Sequence, residues 1–276
     1  MNKTELILPG SAEKPVTLDI SYIPGDTLKP VVILMHGFKG FKNWGHFDII
    51  AAKIAHAGFV CLKFNFSHNG TTPGQLTDFA DLDAFGNNNY SIELHDAKKI
   101  IDFTVQHIEL YHGDPAKINL IGHSRGGGIA ILTAAQDKRI KKLCTWSSVK
   151  EFGKFVPENE IPAWKEKGVV YTYNSRTHQN MSLHFQLYQD FLNNKEQLDV
   201  SAHAHKLNIP WLILHGTGDQ TVPFITAKHL HELNLNSQLE LLENADHNFG
   251  GKHPWISDEL PADAGMALNK TLEFFS

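Results

Sequence analysis

Lys117-Ile118-Asn119-Leu120-Ile121-Gly122-His123-Ser124-Arg125-Gly126-Gly127-Gly128-Ile129-Ala130 is the stretch that decides the fold. A short run with β-branched residues leads into Gly-x-Ser-x-Gly, and small and aliphatic residues follow at helical spacing. The pattern predicts a strand, a turn too tight for side chains at Gly122 and Gly126, and then a helix. A serine at the apex of such a turn is pushed out of the sheet with its Oγ exposed, above the positive end of the helix. The pentapeptide alone is weak evidence, because with glycine and serine each near about 7% of residues chance yields about 0.1 occurrences in a chain this long. Its setting between a strand and a helix raises it well above that level, and two motifs downstream strengthen it further.

A serine hydroxyl is a poor nucleophile at neutral pH; it needs a base, and the base needs an orienting acid. Ile209-Pro210-Trp211-Leu212-Ile213-Leu214-His215 reads as an apolar strand ending in the turn Gly216-Thr217-Gly218-Asp219, which presents Asp219 at the carboxyl end. Leu239-Glu240-Leu241-Leu242 is a further strand, running into the loop that carries His247. Asp246 rivals Asp219 as the acid, but its place beside the histidine in sequence makes the ring Nδ1 hard to reach. Of the 17 histidines, His247 is the first to follow the last strand after the acid.

The fourth requirement is a pair of donors for the oxyanion. Val31-Val32-Ile33-Leu34-Met35 reads as a buried strand, followed directly by His36-Gly37-Phe38-Lys39-Gly40. A glycine at that turn lets the next backbone N–H point into the site. The expected donors are the main-chain amides of Phe38 and Arg125, and losing one such donor typically costs about 100- to 1000-fold in rate.

With these motifs in place, the chain resembles serine hydrolases of the α/β-hydrolase superfamily over nearly its whole length. Within it, the His-Gly-Phe turn is most similar to bacterial esterases of the feruloyl and cinnamoyl esterase and dienelactone hydrolase-like group. The resemblance implies Ser124 as nucleophile, Asp219 as acid, His247 as base, and the amides of Phe38 and Arg125 as the oxyanion hole. Serine replaces the cysteine nucleophile of dienelactone hydrolase and the aspartate of dehalogenases. Both departures favour ester chemistry.

At 276 residues, with 42% hydrophobic and 20% charged, one α/β domain over residues 1–276 is expected. The net charge of −5 gives no pull toward nucleic acid or an anionic membrane. The stretch from Met1 to Gly10 lacks an apolar core long enough for a signal peptide, and no run approaches the roughly 18 apolar residues of a membrane span. Cys61 and Cys144 fall in predicted strands and read as packed thiols, so a reducing cytoplasm is the expected compartment.

Strand and helix patterns alternate along the chain. Residues 4–8 and 16–23 predict an antiparallel opening pair. Strands follow near 31–35, 59–64, 117–121, 141–146, 211–215 and 238–242, and helices near 46–57, 91–108, 125–136, 223–233 and 263–275. The expected fold is therefore α/β: a mostly parallel, doubly wound, eight-stranded sheet covered on both faces.

Residues 147–207 break the rhythm, because a connection between strand and helix normally takes about 2–6 residues. Phe152, Phe155, Trp164, Tyr171, Tyr173, Phe185, Tyr188 and Phe191 crowd into this stretch. Residues 168–173 alternate like a strand, and 181–194 have helical spacing. Placed between the nucleophile's half of the sheet and the acid's half, the segment reads as a lid that shapes the substrate pocket; the plainer alternative is a surface decoration. Residues 65–90 leave a strand end near the same place and predict another wall.

The histidines invite a metal reading that the spacing does not support. His203 with His205, and His229 with His231, are each two apart in helical segments and do not share a face. His231-Glu232 opens like a zinc-protease helix, but Leu235 stands where the second histidine belongs. Neither a complete dinucleotide fingerprint nor a phosphate-binding P-loop occurs. No cofactor and no metal are expected. Arg125 carries a guanidinium that suits either a carboxylate of the lid or an acidic group of the substrate. His253 and Trp255 lie where they could border the pocket or simply pack.

The sequence thus predicts a serine esterase acting on a small-molecule ester, with no nucleic-acid or membrane partner and its oligomeric state open. A thioesterase or acyl-aminoacyl peptidase of the same superfamily is the enzymatic alternative. A non-catalytic binding protein on the same fold is the alternative from another class.

Overall fold

The computed structural model describes residues 1–276. The chain opens with an antiparallel hairpin of β1 (Asn2–Pro9) and β2 (Pro15–Tyr22), paired from Asn2 opposite Tyr22 to Pro9 opposite Pro15. There follow β3 (Lys29–Met35), α1 (Phe47–His56), β4 (Val60–Phe64), α2 (Leu82–Gly86), α3 (Tyr90–His107), β5 (Gly113–His123), α4 (Arg125–Gln136) and β6 (Ile140–Trp146). The sheet closes with β9 (Trp211–Gly216), α8 (Ile225–Leu233), β10 (Gln238–Leu242) and α9 (Ala262–Phe275), after an interval that holds the separate strands β7 (Val169–Asn174) and β8 (Gln179–His184). The eight strands lie in the order β1-β2-β4-β3-β5-β6-β9-β10, with β3, β4, β5, β6, β9 and β10 mutually parallel. This is the α/β-hydrolase fold, with all eight expected strands in place.

The continuous apolar runs follow from burial on both faces of the sheet. Successive side chains of β3 alternate: Val31, Ile33 and Met35 join one core with Ile100 of α3 and Ile129 of α4. Val32 and Leu34 face the other, packing with Ile50 and Ile54 of α1 and Leu268 of α9. The pattern of β2 departs from this rule at Asp19, which is wholly buried. Its carboxylate takes Lys42 Nζ and Lys63 Nζ at 2.6 Å each. Burial alone would raise its pKa, but Lys63 and Lys42 hold it down to about 2.

Residues 147–207 contain α5 (Ile161–Lys167), the antiparallel hairpin β7 (Val169–Asn174) and β8 (Gln179–His184), α6 (Gln186–Asn193) and α7 (Val200–Lys206). The helical spacing read over 181–194 is overridden in its first part. Residues 181–184 pair with β7 instead, the two strands being joined by a tight turn at 175–178, and the helix begins at Gln186. The insertion is tied to residues 77–91 by Arg176 on Asp78, His184 with Asn87 at 3.0 Å, Asn89 on Gln186 at 2.7 Å and the Ser91 N–H on Asp190 at 3.1 Å.

Candidate active site

The strand-turn-helix read from sequence is formed by β5, Ser124 and α4. Ser124 sits at φ 55°, ψ −120°, a backbone conformation that costs a non-glycine residue on the order of 1–3 kcal/mol and persists only when its surroundings enforce it. Here the Ser124 N–H donates to the Trp146 carbonyl at 2.9 Å, while its carbonyl accepts from Gly127 at 3.0 Å. The glycines are required by close approach: a β-carbon at Gly122 would strike the Gly126 carbonyl, and one at Gly126 would strike the carbonyls of Met35 and His36.

The loop after β3 lies directly against this elbow. His36 Nδ1 donates to the Gly37 carbonyl at 2.9 Å, and Gly40 N–H donates to the same oxygen at 3.0 Å. Burial lowers the His36 pKa to about 4, so its ring is neutral and the tautomer is set by that bond. The Phe38 N–H finds no acceptor within the chain. The Arg125 N–H is the first of α4 and so has no intrahelical acceptor. Two free main-chain donors therefore flank Ser124.

Asp219 and His247 come together from the loops after β9 and β10. Asp219 Oδ2 accepts from His247 Nδ1 at 2.7 Å, and Oδ1 accepts the N–H groups of Thr221 and Val222 at 2.8 Å each. His215, the penultimate residue of β9, adds its Nε2–H at 3.2 Å from Oδ2 while donating to the Val222 carbonyl at 2.8 Å. Burial opposes ionisation of Asp219, but these donors, His215 and His247 first among them, hold its carboxyl far below the usual carboxylate range. Asp246 is used differently: its Oδ1 accepts the N–H groups of Asn248 and Gly250 at 2.9 and 2.8 Å and so shapes the turn that carries His247. His123 Nε2 donates to the His247 carbonyl at 2.9 Å.

Ser124 and His247 line one cavity of about 500 Å³, together with His36, Gly37, Trp44 and His123. A second cavity of about 500 Å³ meets the first at Phe38, Ser124 and Thr221. Half of its lining is apolar, with Tyr90, Phe152, Phe155, Val156, Val170, Leu183, Val222 and Pro223 on its walls beside Arg125, Lys150, Glu151 and Lys154. Of the eight aromatics noted in residues 147–207, only Phe152, Phe155 and Tyr171 line it. Trp164 instead is buried, donating its indole N–H to the Leu183 carbonyl at 2.9 Å, with the rings of Phe185 and Tyr188 at 5.6 and 6.0 Å. Of the wall expected from residues 65–90, Tyr90 reaches the cavity, while Asn88 and Asn89 hydrogen-bond to Glu93 and Gln186.

Arg125 is buried at the edge of the second cavity, and its guanidinium meets no carboxylate of the insertion. It pairs at 3.2 Å with Glu93 of α3, a residue on the same side of the sheet but 32 positions earlier. It also lies 4.1 Å over the ring of Phe38 and 5.3 Å over that of Tyr90. Burial raises the Glu93 pKa, opposed by Arg125 and by the amide of Asn88. His253 lines the first cavity, with Nδ1 accepting the Gly45 N–H at 2.9 Å. Trp255 lines neither cavity; its indole N–H goes to the Glu259 carbonyl at 2.9 Å and its ring packs on His46. His203, His205 and His231 are taken up locally, by the Asp199 carbonyl, the Leu233 carbonyl and the Ser237 hydroxyl.

His215 escaped the sequence reading because nothing in an apolar strand marks a histidine that supports the following loop. Lys39 and Arg176, which also line the first cavity, escaped it because their neighbours come from distant parts of the chain.

Comparison with known proteins agrees with this architecture. An isoprenylcysteine alpha-carbonyl methylesterase of Arabidopsis thaliana is 24% identical over 225 residues, covering 73% of this chain and 46% of the relative. The chain spans about half or less of the length of the curated relatives it matches. Among solved structures, Est1E from Butyrivibrio proteoclasticus with ferulic acid bound superposes with a TM-score of 0.71 at 17% identity, covering 98% of this chain and 96% of that one. The esterase domain of a Rhodothermus marinus protein gives a TM-score of 0.65 at 16% identity, over 99% of this chain and 98% of that one. The model of the BD-FAE family matches residues 18–233, more than three quarters of the length, and the chain belongs to that family.

Proposed function

We propose that this protein is a serine hydrolase that cleaves small-molecule carboxylic esters through an acyl-enzyme. The observation that carries the reading is the 2.7 Å contact of His247 Nδ1 with Asp219, at a cavity that Ser124 also lines. In this reading His247 takes the Ser124 proton as Oγ attacks the ester carbonyl carbon. The negative oxygen of the tetrahedral intermediate accepts the Phe38 and Arg125 N–H groups. Collapse of the intermediate expels the alcohol, which leaves with the proton from His247. A water activated by the same imidazole then releases the acid. Asp219 remains ionised and fixes the ring orientation. Residues 147–207 act as a lid, since their Phe152, Phe155 and Tyr171 wall the cavity beside the nucleophile.

The names borne by the relatives, a methylesterase and an esterase domain, and the ferulic acid held by Est1E, support ester hydrolysis. The two buried free thiols, Cys61 and Cys144, fit a reducing cytoplasm.

The test is Ser124→Ala. The variant is expected to fold normally and to lose at least about 1000-fold in ester hydrolysis, with oxyanion and binding terms left behind. A fluorophosphonate is expected to label the native protein once and the variant not at all. Ordinary turnover by Ser124→Ala would overturn the serine mechanism. A native protein inert to a panel of esters, thioesters and aminoacyl amides would instead favour the non-catalytic binding reading.

A further inference from the structure

The two cavities beside Ser124 differ in chemistry, and the difference names a class of substrate. The first is lined by three cations, Lys39, Arg176 and Lys252, with His253, Asn174 and Asn248, and no carboxylate lines it. Lys39 Nζ donates to Thr172 Oγ1 at 2.7 Å and to the Tyr173 carbonyl at 2.8 Å, which leaves one of its three N–H donors and its whole charge uncompensated. Arg176 spends its two terminal nitrogens on Asp78 and on the Thr77 carbonyl, and keeps its Nε–H. Lys252 is exposed and makes no ion pair. Since the Gly45 N–H occupies His253 Nδ1, the neutral ring carries its proton on Nε2 and is a donor there. The second cavity takes its apolar wall from Phe152, Phe155, Val156, Val170 and Leu183, and of its three cations Arg125 is paired with Glu93 and Lys154 with Glu151, leaving Lys150.

Direction follows from the reaction, and this step rests on the proposed serine mechanism. His247 gives its proton to the leaving alcohol, so the alcohol must lie within its reach, and His247 lines the first cavity but not the second. We infer that the substrate is an ester of an apolar or aromatic acid with an alcohol that bears an anionic group, a carboxylate being the simplest case. Hydrolysis consumes one water. The carbonyl–oxygen bond breaks, the acyl group leaves as the carboxylic acid, and the alcohol departs as a hydroxy acid with its proton from His247. Lys39, Lys252 and Arg176 hold the anionic end while Phe38 and the apolar cavity hold the acyl end. Charge-assisted hydrogen bonds of this kind discriminate strongly, because a neutral analogue leaves Lys39 and Lys252 without an anionic partner, Arg176 alone being paired already, with Asp78.

The experiment compares the butanoate ester of 3-hydroxypropanoate with the same ester capped as its neutral methylamide. The anionic ester is expected to be favoured at least about tenfold in kcat/KM, and the preference should shrink as salt rises from about 20 to about 500 mM. In the double variant Arg176→Gln, Lys252→Gln the ratio of the two should fall toward one. Equal or better turnover of the neutral ester by the native protein, or a ratio unmoved in the variant, overturns the inference and leaves the serine mechanism standing. If neither ester is turned over, the mechanism has failed, and the cationic site is judged by calorimetric titration of Ser124→Ala with the anionic ester. Binding at least about tenfold weaker once Arg176 and Lys252 are also replaced supports the site; equal binding, or none, overturns it.

Discussion

Gly37 stands so close to Ser124 that a β-carbon on it would come within 2.9 Å of the serine Cβ and 3.4 Å of its Oγ. The loop after β3 can lie against the elbow only because position 37 has no side chain. Gly37→Ala is expected to displace that loop and carry the Phe38 N–H away from the developing oxyanion. The fold should survive while kcat on an acetate ester falls by about 100- to 1000-fold. Steady-state kinetics alongside a melting curve check this, and an unchanged kcat would show that the Phe38 amide is not a donor in the reaction.

Three buried histidines make the protein sensitive to acid. Burial lowers the pKa values of His36 and His46 to about 4 and, with help from the neighbouring His247, that of His123 to about 3. In the unfolded chain each returns to about 6.5. Between these values the unfolded state binds more protons, so the stabilisation is full above pH ~6.5 and drains away as pH falls toward 4. Each histidine contributes up to about 1.4 kcal/mol per pH unit, so the three together approach about 4 kcal/mol per unit near pH 5. Urea unfolding midpoints from pH 7.5 downward should show this slope, and His46→Gln should remove about a third of it. A flat profile down to pH 5 would mean that these rings are charged in the fold.

The pairing of Arg125 with Glu93 separates a side chain from its own backbone. Glu93→Ala strands a buried guanidinium and is expected to cost about 3–5 kcal/mol of stability. The double variant Arg125→Met, Glu93→Leu removes both charges, and should recover most of that loss. Because the proposed oxyanion donor at position 125 is the main-chain N–H, ester hydrolysis in the double variant should stay within about tenfold of the native rate. A much larger loss would assign the guanidinium itself to the reaction.

The aromatics of residues 147–207 divide by position. Phe155→Ala and Tyr171→Ala remove cavity wall and are expected to change the preference among acetate, butanoate, octanoate and aryl esters, on a scale of roughly fourfold per methylene in contact. Trp164→Ala opens a hole in the packing of the insertion and should instead lower stability by about 3–5 kcal/mol. Parallel selectivity profiles in Phe155→Ala, Tyr171→Ala and the native protein would reject the insertion as the element that reads the acyl group.

The sheet was legible because its strands are buried on both faces and therefore write long apolar runs, as in Val31 to Met35. Ser124, Asp219 and His247 could be singled out because the turns that present them follow such runs, and the structure brings Asp219 and His247 into contact. Interactions whose partners are set by tertiary packing were not legible. Nothing near Arg125 in sequence points to Glu93, nothing in β9 marks His215 as a second donor to Asp219, and the alternation of β2 gives no warning that Asp19 is buried between Lys42 and Lys63. The spacing at 181–184 suits a helix, and only the presence of β7 alongside turns it into a strand. Aromatic content located the insertion but could not sort Phe155, on the cavity wall, from Trp164, inside the packing.

Lys39 follows Phe38 in the chain, and its ammonium is fastened to Thr172 and to the Tyr173 carbonyl of the inserted hairpin. The residue next to a candidate oxyanion donor is thus moored to the segment that walls the second cavity. In the proposed reaction, a bulky acyl group that levers the hairpin outward draws on the same tether that keeps the Phe38 loop in place. Under the proposed mechanism, poor fit is then felt as slower turnover and not only as weaker binding, and a wrong ester is rejected after it has bound.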